Sequence, residues 1–130
     1  MRESETKGRA KKADVIARKR LAEQRKTGQN TLPAEFFADL QRILVSFLED
    51  RLEAQIAGDT MSDLRARLLS RGFSPKAADD VITEMESCDF ARFAASAGQE
   101  KEKEQALARL EALIQELAKT RVLPSPKEKR

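Results

Sequence analysis

From Thr31 onwards the apolar positions of this chain recur at three- and four-residue steps, the period that stacks side chains along one side of an α-helix. The longest run aligns Phe36, Phe37, Leu40, Ile43, Leu44, Phe47, Leu48, Leu52 and Ile56, with Glu35, Asp39, Gln41, Arg42, Glu49 and Asp50 on the other side. Pro33 suits a first turn, where backbone N–H groups lack intrahelical partners. Gly58 is the expected stop. Thr60 and Asp63 then make a capping-box start for a helix with Met61, Leu64, Leu68 and Leu69 inward, closed by Arg71 and Gly72. Ser74 and Pro75 open the next helix, with Ala78, Val81, Ile82 and Met85 inward and an expected end near Ser87. Glu100, Glu102 and Glu104 favour the N-terminal dipole of a last helix, whose stripe is Leu107, Leu110, Leu113, Ile114 and Leu117. Pro124 and Pro126 forbid its continuation.

The N-terminal stretch follows another pattern. Residues 1–10 are charged and small, with nothing to bury. From Lys11 to Lys26 the residues favour helix, yet only Val15, Ile16 and Leu21 are strongly apolar, among Ala13, Ala17 and Ala22. A marginal helix is expected there, with an apolar face too thin for firm insertion into a membrane interface. The reading is an all-α protein, a small bundle of about four to five helices. Residues 1–30 form a basic, partly disordered or marginally helical arm, 31–119 the helical bundle domain, and 120–130 a disordered basic tail. With 130 residues, 40% of them hydrophobic and 36% charged, one core is what the chain can bury.

Charge changes the picture. Residues 1–26 carry ten Lys or Arg against four acids, residues 119–130 five against one, and the stretch between them ten against seventeen. A net +3 therefore conceals a body at −7 between basic ends at +6 and +4. An acidic body disfavours nucleic acid as its partner, because phosphate neutralisation needs a cationic face on the rigid part. The arm's Arg9, Lys11, Lys12, Arg18, Lys19 and Arg20 suit contact with an anionic lipid surface.

Chemistry is sparse. The chain has no histidine, tyrosine or tryptophan and a single cysteine. It offers no imidazole base, no glycine-rich phosphate loop and no nucleophile on a strand-to-helix elbow, so an enzyme is not expected, nor a cofactor or small-molecule ligand. Only an all-oxygen metal site remains, and the acids lack calcium-loop spacing, so no metal is expected. Cys88 reads as a small core hydrophobe, and Asp89 with Arg92 as a local ion pair. A lone cysteine without a disulfide framework points to a reducing, cytoplasmic setting. No stretch approaches the roughly 18 apolar residues of a membrane span.

The run Cys88-Asp89-Phe90-Ala91-Arg92-Phe93-Ala94 is too apolar to sit in water and is expected to pack inward. The structural core is expected to comprise Leu40, Leu44, Phe47, Leu48, Leu64, Leu68, Gly72, Val81, Ile82, Cys88, Phe90, Phe93, Leu110, Leu113, Ile114 and Leu117. Phe73, in a turn between helices, and whichever of Phe36 and Phe37 the core does not absorb are the candidate partner contacts. Residues 61–86 have helix-turn-helix spacing, but Asp79, Asp80, Glu84 and Glu86 would oppose phosphates with only Lys76 to offset them. Leu68-Leu69-Ser70-Arg71-Gly72-Phe73 resembles one repeat of RecX-type helical regulators, which supplies an alternative: a soluble regulator or nucleic-acid-associated module.

The order of segments over 13–120 resembles the cytoplasmic tail of BatD-type proteins of the bacterial aerotolerance system. The resemblance is carried by Ala17-Arg18-Lys19-Arg20-Leu21-Ala22, Phe36-Phe37-Ala38-Asp39-Leu40 with Leu44, Phe47, Leu48, Arg51 and Leu52, and Thr60-Met61-Ser62-Asp63-Leu64 with Leu68 and Gly72. It continues through the Cys88 to Ala94 run, its most specific part, and 108–117. It implies extracytoplasmic β-rich domains and a membrane span ahead of Met1, which would place this chain on the cytoplasmic side of the inner membrane, next to the positively charged flank. It also implies von Willebrand A-type and MoxR-type AAA+ partners and a non-catalytic scaffolding role. The sequence departs from the pattern at Glu53, where a glycine is expected, and this reads as extension of the long helix towards Gly58.

Overall fold

The computed structural model describes residues 2–28, 31–93 and 100–124, with side chains from residue 12 in the first helix and from 101 in the last. These residues form five helices and no strand: α1 (Arg2–Thr27), α2 (Pro33–Leu52), α3 (Met61–Ser70), α4 (Pro75–Phe93) and α5 (Glu100–Ala118). The protein is an all-α bundle, as the periodicity predicts. α2 is the central helix and packs against α1, α4 and α5.

That centrality explains Phe36 and Phe37. Neighbouring helical positions point about 100° apart, and α2 has neighbours on several sides, so both rings are absorbed, at 1% and 3% exposure. They meet edge to face with centroids 5.2 Å apart. Neither is a free partner contact.

α1 departs most from expectation. It is one helix of 26 residues, and Ala13, Ala17 and Leu21 bury their side chains in the common core. Alanines at four-residue steps bury little area themselves but let two backbones approach closely. Polar ties then hold the helix: Arg20 Nη1 to Ser46 Oγ at 2.9 Å, Gln24 Nε2 to Asp39 Oδ2 at 3.2 Å, and Arg25 to Glu111 of α5 at 3.0 Å. The boundary expected at residue 30 therefore does not separate an arm from a bundle.

α2 ends at Leu52, short of Gly58, because Glu53 adopts the left-handed conformation at φ 54°. The released chain is held by Glu49, whose Oε2 accepts from the N–H of Ile56 at 2.9 Å and of Ala57 at 3.3 Å. Ile56 then folds back into the core.

Thr60 caps α3, its Oγ1 accepting from the Asp63 N–H at 3.0 Å. The helix closes in a Schellman motif: Gly72 at φ 100°, its N–H on Leu69 O at 3.3 Å and the Phe73 N–H on Leu68 O at 3.1 Å. This closure turns Phe73 back onto the helix it leaves, leaving the ring 3% exposed. Phe73 is thus the motif's hydrophobic anchor and not a docking residue. The tail also orders further than expected, since the Leu123 N–H donates to Arg71 O at 2.8 Å and Val122 packs against the core. Residues 125–130 lie outside the described residues.

Candidate functional site

α4 does not end at Ser87. It continues through Phe93, and helical phase then decides which side chains of the Cys88 to Phe93 run face the core. Ala78, Val81, Met85 and Cys88 are buried on one stripe. Phe90 lies roughly 200° and Phe93 roughly 140° around the axis from Cys88. Both rings consequently stand in solvent, 76% and 81% exposed. The expectation that they pack inward is overturned: the run contributes Cys88 to the core and two phenylalanines to the surface.

The aromatic edge is fixed from below. Asp89 accepts from Gln41 Nε2 at 2.9 Å, and the same amide donates to Met85 O at 3.1 Å, which ties the end of α4 to α2. The Arg92 guanidinium lies 5.5 Å from the Phe93 ring centroid and 3.9 Å from Asp89. Beside this edge the α2–α4 seam opens into a groove of about 460 Å³ bordered by Gln41, Arg42, Val45, Ser46 and Met85. Glu86 is exposed one turn before Phe90.

Several other reactive groups are buried or paired. Burial pushes the Cys88 thiol up to about 12, with the nearby Glu84 carboxylate adding to the shift. Glu84 is itself buried and accepts from Arg109 Nε at 3.3 Å. Asp79 accepts from Arg65 and Asp80 from Lys76, at 2.7 and 2.8 Å. Among the described residues no group of three potential ligands is placed to hold a metal ion.

Of the side chains assigned to lipid contact, Lys12, Arg18, Lys19 and Arg20 are exposed along α1. Arg18 pairs with Asp14 at 2.9 Å, and Arg20 is engaged by Ser46. The side chains of Arg9 and Lys11 lie outside the described residues. Ile82 is only partly buried, and Gly72 is exposed, its role being the positive φ of the α3 closure. No helix among the described residues is long and apolar enough to cross a membrane.

Sequence reasoning found the unusual run but placed its phenylalanines on the wrong side. The signal for the correct side was the unbroken helical register from Ala78 to Cys88, which no glycine or proline interrupts before Phe93. No family model, curated protein or solved structure matches the chain.

Proposed function

We propose that this chain is a non-catalytic docking module that presents Phe90 and Phe93 to a protein partner, as the cytoplasmic part of a membrane-anchored BatD-type protein. Its partners on this reading are the von Willebrand A-type and MoxR-type proteins implied by the resemblance. The supporting observation is the pair of exposed rings three residues apart on α4, when the other four phenylalanines of the chain are buried. Residues at that spacing are neighbours on a helix surface, and leaving two such rings in water forgoes about 1.5–3 kcal/mol each. Aromatic side chains, phenylalanine among them, are enriched at the cores of protein interfaces. The exposed Glu86 one turn away adds a charge criterion, since a complementary partner would set a basic group beside its apolar cleft.

The test is a pull-down with the folded chain as bait and purified MoxR-type ATPase and von Willebrand A-type protein as prey. Capture of one of them is expected, with loss of at least tenfold in affinity for the Phe90→Ala, Phe93→Ala double variant, as interface anchors give. The double variant should keep its unfolding free energy within about 0.5 kcal/mol, because exposed positions contribute little to stability. Absence of binding to either protein, or binding unchanged by the double substitution, would sink the reading.

A further inference from the structure

Hydrogen bonds place several segment ends together at the pole of the bundle opposite Phe90 and Phe93. Arg51, in the last turn of α2, donates from Nη2 to Ala118 O at 3.5 Å and to Thr120 O, bringing the end of α5 beside the end of α2. The chain after α5 then crosses the α3–α4 turn, with the Arg71 Nε donating to Leu123 O and the Leu123 N–H donating to Arg71 O. Gly72 makes the crossing possible, since a Cβ there would stand 3.0 Å from Leu123 Cγ and 3.1 Å from Arg121 O.

The strap and the bundle enclose a groove of about 410 Å³ lined by Arg51, Arg71 and Arg121, a single carboxylate from Glu53, and the apolar Leu123 and Pro124. Arg71 is buried and Arg51 half-buried, so these two hold the strap and lend it charge, while Arg121 is exposed. Arg51 Nε has no hydrogen-bond partner among the described residues. Leu123 is 48% exposed beside the guanidinium groups.

α1 runs past this same pole. It is antiparallel to α2, with Arg20 level with Ser46. That register brings Lys12 near the level of residue 54. The backbone of α1 continues as helix to Arg2, about 18 Å beyond the level of Leu52 at 1.5 Å per residue.

We propose that this pole is a membrane-facing surface that binds anionic phospholipid headgroups, with Arg121 and Lys12 as direct contacts, Arg51 and Arg71 as supporting charge, and Leu123 with Pro124 reaching towards the acyl boundary. Cations beside apolar side chains match a headgroup phosphate above the start of its hydrocarbon. A nucleic acid would find no aromatic side chain among those lining the groove on which to stack a base. The surface extends the proposed function without depending on it, since it lies at the opposite end from the phenylalanines.

The experiment is co-sedimentation of the full chain with phosphatidylcholine vesicles, with mixed phosphatidylglycerol and phosphatidylcholine vesicles, and competition by duplex DNA. Binding is expected on the anionic vesicles alone, weakening as salt rises. Removing one exposed cation, in Arg121→Gln or Lys12→Gln, should weaken it about fivefold, and removing both about twenty-five-fold. Glu53→Lys should tighten it, a gain that misfolding does not produce. The Phe90→Ala, Phe93→Ala variant should sediment like the parent, which separates this surface from partner docking. Equal binding to neutral vesicles, no binding to either, parental binding by the double cation variant, or preference for DNA would each overturn the proposal.

Discussion

Lys103 of α5 donates to the carbonyl of Gly28 at 2.8 Å, so a charge from the last helix closes the C-terminal end of the first. The ammonium group is buried, donates also to Thr31 O at 2.8 Å, and lies 5.1 Å from the centroid of Phe36. Each element of this junction comes from a different segment, and together they hold α1 in the bundle. Replacing Lys103 with Met removes two charge-assisted hydrogen bonds and is expected to cost about 1.5–3 kcal/mol. Gly28→Ala should cost about 1–3 kcal/mol through overpacking, because the added Cβ would stand 2.4 Å from Cε1 of the buried Phe36 ring. Urea unfolding midpoints measure both, and parental midpoints would show that α1 is not held this way.

Arg25 grips Glu111 with two parallel hydrogen bonds, Nη1 to Oε2 at 3.0 Å and Nη2 to Oε1 at 3.1 Å. This pairing, opposed by partial desolvation, holds the Glu111 carboxyl below its ordinary 4.5. A carboxyl whose pKa is lower folded than unfolded stabilises the fold above its unfolded value and loses that contribution as pH falls through the folded value. Stability should therefore decline as pH drops below about 4.5. Glu111→Gln should be slightly less stable at neutral pH, should lose less on acidification, and should converge with the parent in acid. Both side chains are partly exposed, so salt should shrink the difference. Parallel pH curves for the two proteins would refute the assignment.

Cys88 is the only thiol in the chain and is buried. With its pKa near 12, little thiolate forms at mildly alkaline pH, and reagent access requires the bundle to open. The native protein should react with Ellman's reagent only as fast as it unfolds, whereas the protein in denaturant should react at once. Rapid stoichiometric labelling of the folded chain would contradict both the burial and the packing role.

Glu53 is the only non-glycine at positive φ among the described residues. Glycine adopts that conformation without the steric cost of a Cβ, though it also gains freedom in the unfolded chain. The balance favours Glu53→Gly by about 0.5–1 kcal/mol, while Glu53→Val should lose about 1–2 kcal/mol because a branched side chain fits this region poorly. Thermal unfolding of the pair checks the ordering. A valine variant as stable as the glycine one would mean that the left-handed turn is not retained.

The error at Glu53 shows how far local pattern carries. A sequence with apolar residues at Leu52 and Ile56 reads as one continuing helix, since the four-residue step is kept. The chain leaves the helix through the left-handed turn at Glu53 and is held there by one Glu49 oxygen that accepts from the next loop, and a carboxylate acting seven residues ahead has no signature in hydrophobic spacing. The docking of α1, though not its helical character, was hidden for a related reason. Ala13 and Ala17 register weakly as hydrophobes, and their value appears only when another backbone approaches them.

By itself the sequence determined the helical class, the stripes of α2, α3 and α5, the Thr60 cap and the turn at Gly72, all of which depend on residues within a few positions of one another. The tertiary structure alone decided that Phe36, Phe37 and Phe73 are covered, that Phe90 and Phe93 are not, and that Arg51, Arg71 and Arg121 gather at one pole. Those outcomes depend on helical phase carried past an expected end, on the number of neighbours around α2, and on contacts between segments remote in sequence. Periodicity states which side of a helix is apolar, and only packing states what lies opposite each side.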